Sequence, residues 1–134
     1  MADAVCVPLS RVPEFWPLIA DYIKQAVDKV GSTDYETLRQ DVLHSRALLW
    51  IAVGGMTTPA AAVTQVAIAN GSKFCTIIAC GGTDRARWLP LISQIEKYAA
   101  FEGCTKIQII GRKGWQRVLP DYDAPFVVLE KALK

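Results

Sequence analysis

The sequence lacks any hydrophobic run long enough to cross a bilayer, which takes about 18 to 20 apolar residues. Its longest apolar run covers 47–53, which is the length of one buried strand. The first residues do not combine a basic segment with an apolar stretch, so no signal peptide is predicted. We therefore predict no membrane segment and a cytoplasmic location.

Strong net charge and metal-binding spacing are also absent. The net charge is only +2 and the 15 Lys and Arg residues are spread along the chain, which disfavours a nucleic-acid-binding surface. The single His and the four Cys form no C-x-x-C or Cys/His spacing that suits zinc. We predict no metal site, and we interpret the cysteines as buried thiols.

What the chain does have is enough apolar sequence for one core. It is 134 residues long, with 51% hydrophobic and 21% charged residues, a composition typical of a folded protein. The length is close to the commonest size of one domain. No linker, repeat or low-complexity segment interrupts it. We predict a single domain over 1–134.

Hydrophobic periodicity predicts both helices and strands. Apolar residues at three- and four-residue spacing indicate an amphipathic helix over 12–30, and Asn70-Gly71 between two β-prone runs indicates a hairpin. The predicted strands are 4–8, 48–53, 61–69, 73–80, 106–110 and 126–129, and the predicted helices are 12–30, 35–46, 88–100 and 115–119. This order predicts an α/β (α+β) fold with a mixed, mostly antiparallel sheet of about six to seven strands, one βαβ crossover and helices on both faces.

Two segments carry a family resemblance in addition to this order. Residues 81–90 (GGTDRARWLP) and 109–119 (IIGRKGWQRVL), followed by Tyr122 and 127–131 (VVLEK), resemble a divergent group of the GNAT superfamily of N-acetyltransferases that tailed bacteriophages often encode. The element order is similar to the GNAT fold along the whole chain. The resemblance implies a GNAT-like domain that uses acetyl-CoA and no metal.

The resemblance also implies a cofactor site at the turn between the fourth strand and the next helix. In the family, the pyrophosphate rests on backbone amides at the helix start, usually within Arg/Gln-x-x-Gly-x-Gly/Ala. That pattern falls on Thr83, Ala86 and Trp88 in this sequence. The implied cofactor-binding residues are Gly81, Gly82, Thr83, Arg85, Arg87 and Trp88. In the alternative interpretation, the two glycines form an ordinary turn and the arginines are solvated.

Acetyl transfer requires a base for the amine and an acid for the thiolate that leaves. The family's tyrosine acid would fall near Leu119, which has no hydroxyl, so Tyr122 is the candidate catalytic acid, with a packing role as its alternative. Trp115 is either an adenine-stacking residue or a core anchor. The candidate bases are Glu102, Asp121, Asp123 and His44.

The functional hypothesis is an acetyl-CoA-dependent N-acetyltransferase-like protein that acts on an unknown amine of a small molecule or a protein. Thr83, Trp88 and Leu119 depart from the family's pattern and favour an alternative. That alternative is a catalytically inactive GNAT-fold binding or assembly protein of phage origin, located in the host cytoplasm. A nucleic-acid-binding domain is the third hypothesis. By analogy with the fold, the strand at 126–129 is expected at a sheet edge, where it would allow a homodimer.

Overall fold

The computed structural model describes residues 3–30, 33–54, 57–83, 88–111 and 115–133, without the side chains at 3, 53, 54 and 57–59. The first half contains β1 (Asp3–Cys6), a short 3-10 helix (Leu9–Arg11), α1 (Val12–Val30), α2 (Tyr35–Leu43) and β2 (Leu48–Gly54). The second half contains β3 (Thr57–Ala69), β4 (Ser72–Gly82), α3 (Trp88–Phe101), β5 (Lys106–Ile109) and α4 (Trp115–Val118). The order of these elements agrees with the prediction.

The strands form one mixed sheet in the order β1-β2-β3-β4-β5. The first three pairs are antiparallel, and β4 pairs with β5 in parallel. Asn70 and Gly71 both have positive φ, at 53° and 77°, and they join β3 to β4 in the predicted hairpin. The backbone twist of such a turn matches that of the flanking strands, which explains the choice of Asn-Gly.

Each face of the sheet is covered by helices, which confirms the predicted α/β (α+β) class. The apolar stripe of α1, with Ile19 and Ile23 fully buried, packs together with α2 in a first core cluster. Leu91 and Ile95 of α3 lie in a second cluster on the other face. There Trp50 Nε1 donates a 3.0 Å hydrogen bond to Thr64, the one fully buried polar side chain in the described part of the chain.

The prediction of a strand over 126–129 is wrong. None of the residues from 122 to 133 is in a helix or strand, and the side chains of 126–129 are 71–90% exposed. The β-prone composition of this segment is real, but a strand also requires a partner, and propensity does not provide one. The described residues therefore form five strands, fewer than the six or seven expected.

Three smaller features also bear on the predictions. Helix α2 ends at Leu43, earlier than predicted, because Ser45 adopts a left-handed backbone with φ 63°. Cys75 and Cys80 are buried as expected, whereas Cys6 is exposed. No helix in the described ranges combines the length and the apolar character needed to span a membrane.

Candidate functional site

The candidate site lies where β4 and β5 separate. Their pairing extends from Phe74 to Ile77 of β4 and closes with the Ile110 N–H donating to the Ile77 carbonyl at 3.1 Å. Ile78 has no partner in the register with β3, so it forms a bulge at this point. Beyond it, Ala79 to Gly82 of β4 pair only with β3 within the described residues. The carboxyl ends of parallel strands at such a separation are a common position for ligands.

Gly81 is required by packing inside the fold. A Cβ at this position would lie 2.8 Å from the backbone oxygen of Tyr22 and 3.6 Å from the Cβ of Ala26, both in α1. Only a residue without a side chain allows α1 to approach β4 this closely. The structure thus gives Gly81 a neighbour on the α1 face of the sheet, which the turn motif alone did not indicate.

The other predicted cofactor-binding residues follow in the chain. Gly82 is half-buried, Thr83 is exposed, and Arg85 and Arg87 lie outside the described residues. Helix α3 starts at Trp88, as predicted, and Pro90 occupies its first turn. The first amides of a helix lack internal partners and attract anions, but a proline has no N–H to contribute.

Two tryptophan side chains lie at the two sides of the separation between β4 and β5. Trp88 is the first residue of α3, after β4, and Trp115 is the first residue of α4, after β5. Their ring centroids are 5.4 Å apart with an interplanar angle of 32°, an offset contact that aromatic pairs favour. Trp115 also lies over Gly111, where an added Cβ would clash with its ring. Both indoles pack against the second core cluster, so the anchoring role of Trp115 is the one its contacts support.

Tyr122 lies in an open groove between α3 and the chain that follows α4. Its hydroxyl donates a 2.6 Å hydrogen bond to Glu96 Oε2. The groove has a volume of about 200 Å³, and Ser93, Glu96 and Asp121 contribute its polar side chains. Burial, and next the hydrogen bond and negative charge of Glu96, raise the pKa of Tyr122 well above its usual range. The phenol therefore keeps its proton at neutral pH and has Glu96 as its partner.

The raised pKa of Tyr122 predicts that its contribution to the stability of the fold depends on pH. A tyrosine in the unfolded chain ionises near pH 10, whereas Tyr122 in the folded protein ionises at a higher pH. The contribution of the Tyr122 hydroxyl to the free energy of unfolding is therefore complete below about pH 10 and falls as the pH rises further. We expect the stability difference between the wild type and Tyr122→Phe to shrink above pH 10, as measured by urea unfolding at several pH values. Glu96→Gln should make this decline shallower. Equal slopes for wild type and Tyr122→Phe would contradict the assignment.

The candidate bases are dispersed over the structure. His44 Nδ1 lies 2.8 Å from the Gln40 carbonyl at the end of α2, and Glu102 lies 3.7 Å from Lys73 Nζ at the end of α3. Asp121 lines the groove beside Tyr122, and Asp123 is exposed. Asp121 and Asp123 both adjoin Tyr122 in the sequence, and of these two Asp121 lines the groove together with it.

The sequence analysis missed two contacts at this site, the Trp88–Trp115 pair and the Tyr122–Glu96 hydrogen bond. A signal for the first was present. Two parallel neighbouring strands, each followed by a helix that begins with tryptophan, bring the two indoles to the same edge of the sheet. No comparable pattern marks Glu96, because its partner lies on a segment without regular structure.

Comparison with known proteins shows a likeness in structure without one in sequence. No protein-family model and no curated protein matches the chain by sequence. An aminoglycoside acetyltransferase from an uncultured soil metagenomic sample, in complex with sisomicin, has a TM-score of 0.70 at 14% identity, covering 99% of this chain and 97% of its own.

Two further solved structures show the same likeness. A GNAT family acetyltransferase of Staphylococcus aureus has a TM-score of 0.68 at 11% identity and 98% coverage of both chains. A predicted acetyltransferase with acetyl-CoA, from Clostridium acetobutylicum, has a TM-score of 0.66 at 13% identity, covering 100% of this chain and 95% of its own. The TM-scores show a shared fold, and at identities this low they show the fold alone, which is that of the GNAT acetyltransferases.

Proposed function

We propose that the protein is an acetyl-CoA-dependent N-acetyltransferase-like protein that binds its cofactor where β4 and β5 separate. The observation that carries this proposal is the end of β4–β5 pairing at Ile77, while β4 itself continues to Gly82 on the way to α3. Beyond Ile77, Ala79 to Gly82 pair with β3 and, within the described residues, with no strand on the other side, and the chain then leads to the start of α3. This separation occurs in a fold shared with acetyltransferases, one of them solved with acetyl-CoA.

The residues near this point fit the cofactor in part. Gly82 and Thr83 come directly before the segment that contains Arg85 and Arg87, and we propose that these four residues hold the pyrophosphate. Gly81 would act indirectly, by allowing α1 to pack under the strand. Pro90 and the indole of Trp88 fit less well, since one removes an amide donor and the other occupies a position where the family has a small residue. Bound acetyl-CoA would supply the acetyl group.

The acceptor in this proposal is an amine of a small molecule or a protein. Sisomicin, an aminoglycoside, is bound in one structural neighbour. In this chain, Glu96 and Asp121 place carboxylates in the groove beside Tyr122, and an ammonium group could pair with them. We propose Tyr122 as the acid; burial, and next its contact with Glu96, raise the pKa of the phenol and make it a weaker proton donor in this arrangement. The cytoplasmic location remains a sequence-based prediction.

A second function is favoured by the Trp88–Trp115 contact. With their centroids 5.4 Å apart, the two indoles link the start of α3 to the start of α4, across the site where a cofactor would enter. A protein that retains the fold as a binding or assembly module would have no need to open this contact. It would show no affinity for acetyl-CoA.

Calorimetric titration with acetyl-CoA separates the two functions. We expect micromolar affinity, and a loss of about 10- to 100-fold in each of Arg85→Ala and Arg87→Ala, because a hydrogen bond to a charged group contributes about 1.5–3 kcal/mol. Arg39→Ala is the matched control, since Arg39 pairs with Glu36 on α2 and should leave the affinity unchanged. Absence of heat at millimolar ligand would reject the acetyltransferase proposal in favour of the second function.

A further inference from the structure

Thr64, the fully buried polar side chain of the described core, lies opposite the bulge in β4. In the register of β3 with β4, Thr64 pairs with Ile77. The residue before it, Val63, pairs with Ala79, so Ile78 is the extra residue between the two pairs. A threonine hydroxyl in an apolar core therefore stands at the one position of this hairpin where the described register shifts.

The Thr64 hydroxyl connects three neighbouring strands through hydrogen bonds. It accepts a 3.0 Å hydrogen bond from Trp50 Nε1, on β2. Burial raises the pKa of Cys75, on β4, to about 11, and a hydrogen bond from Thr64 acts in the opposite direction. The hydroxyl thus uses its proton and a lone pair at once, and it ties β3 to the strand on each side.

The bulge changes which residues of β4 face each layer of helices. Before it, Cys75 and Ile77 lie in the second core cluster, together with residues of α3. After it, Ala79 lies in the first cluster, and Ile78 packs against that same cluster. Side chains of a regular strand alternate between the two faces, so two consecutive residues on one face shift the alternation by one position.

This shift decides which residue at the end of β4 meets α1. With the bulge, Cys80 lies in the second cluster and Gly81 faces α1, where a Cβ would lie 2.8 Å from the Tyr22 carbonyl oxygen. Without it, Cys80 would face α1 and its side chain would have to fit where only a glycine does. The bulge also follows directly on Ile77, where pairing with β5 ends, and a bulged strand bends.

We propose that Thr64 is a positioning residue, whose hydroxyl holds the bulge at Ile78 and through it the end of β4 that separates from β5. Migration of the bulge past Cys75, toward the hairpin, would turn that thiol to the other face of the sheet, and Thr64 would lose this partner. Loss of a partner by a buried polar group is costly, so the hydrogen bonds favour one register. The effect on the bulge stands by itself, whereas an effect on cofactor binding rests on the proposed function.

Hydrogen exchange tests the proposal with two variants that separate the parts of the Thr64 side chain. Thr64→Val keeps the shape and removes the hydroxyl, whereas Thr64→Ser keeps the hydroxyl and removes a methyl group. We expect the amides of 79–82 to exchange about tenfold faster in Thr64→Val, relative to the amides of 49–52 in the same variant, and at the wild-type ratio in Thr64→Ser. Val42→Ala, in the first core cluster, is the control for a general loss of stability and should leave the ratio unchanged.

A double variant separates the role in positioning from the cost of an unpaired donor. Thr64→Val leaves Trp50 Nε1 without its acceptor, which by itself destabilises the fold. Trp50→Phe combined with Thr64→Val removes both partners, and the amides of 79–82 should still exchange faster than in the wild type. A wild-type ratio in Thr64→Val or in the double variant would overturn the proposal. Equally fast exchange in Thr64→Ser would overturn it too, because the methyl group would then hold the bulge.

Calorimetry with acetyl-CoA keeps this inference distinct from the proposed function. We expect Thr64→Val to lose about tenfold in affinity and Thr64→Ser to retain the wild-type value, because the hydroxyl positions the strand end that carries Gly81 and Gly82. A wild type without affinity would reject the proposed function, while the exchange ratios would still decide the role of Thr64. A faster ratio with unchanged affinity would confirm the hold on the bulge and reject its effect on the cofactor.

Discussion

Replacing Gly81 with alanine is expected to lower the free energy of unfolding by about 2 kcal/mol, within the usual range for overpacking a core. The added Cβ would lie 2.8 Å from the backbone oxygen of Tyr22, closer than such atoms approach in real structures. Relief would require α1 to move away from β4, and the buried side chains of α1, such as Ile23, resist that movement. Urea denaturation of the purified variant measures the change.

The identity of the clashing atom can be tested with a second substitution. Ala26→Gly removes the nearest side-chain atom, at 3.6 Å, but leaves the Tyr22 carbonyl in place. We therefore expect the double variant to be no more stable than Gly81→Ala. Recovery of stability in the double variant would show that the side chain of Ala26 limits the packing. A stable Gly81→Ala variant with lost acetyl-CoA affinity would instead give Gly81 the cofactor role that the sequence motif suggested.

Replacing Trp88 with glycine is expected to act on stability and binding in opposite directions. The half-buried indole packs on Trp115 and on the second core cluster, so its loss should cost about 3 kcal/mol of folding free energy. If acetyl-CoA enters between α3 and α4, the wild type must first separate the two indoles, and that step reduces the apparent affinity. The variant should then bind acetyl-CoA about tenfold more tightly, as measured by calorimetry.

A second variant, which loses stability but keeps the Trp88–Trp115 contact, controls for the loss of stability. Trp16→Phe removes the 2.8 Å hydrogen bond from Trp16 Nε1 to the Tyr35 hydroxyl, on the α1 side of the sheet. It should lose about 1 kcal/mol of stability and retain the wild-type affinity. Weaker binding in Trp88→Gly than in the wild type would mean that the indole contacts the cofactor instead of covering its path. Absence of binding in both would favour the non-enzymatic function.

Local sequence patterns were sufficient for much of the fold. The helix over 12–30 was predicted from apolar spacing and from Gly31 as its end, and it agrees with α1 in its bounds. Pro17 was expected near the helix start, and it lies inside α1. Asn70-Gly71 predicted a hairpin because these residues adopt the positive φ values that the turn requires. Pro90 indicated the start of α3, since a proline costs least in a first helical turn, where its missing N–H would have no internal partner.

The candidate site was predictable as a region but not as a set of contacts. The family resemblance implied a site at the turn between the fourth strand and the next helix, and the separation after Ile77 lies in the strand that leads to this turn. The motif could not show that the nearest neighbour of Gly81 is a carbonyl in α1. It could not show that Trp88 meets Trp115 or that Tyr122 donates to Glu96 either.

Element order, the buried faces of the helices, and the βαβ crossover follow from short-range patterns, because backbone preference and amphipathicity are properties of neighbouring residues. Tertiary structure alone decides whether a β-prone segment has a partner and what lies beside a glycine or an indole. Residues 126–129 have the composition of a strand and remain exposed in a single chain, since a strand depends on hydrogen bonds from residues remote in sequence. The same dependence on remote neighbours gave Gly81 a packing role and brought Trp88 and Trp115 together at the candidate site.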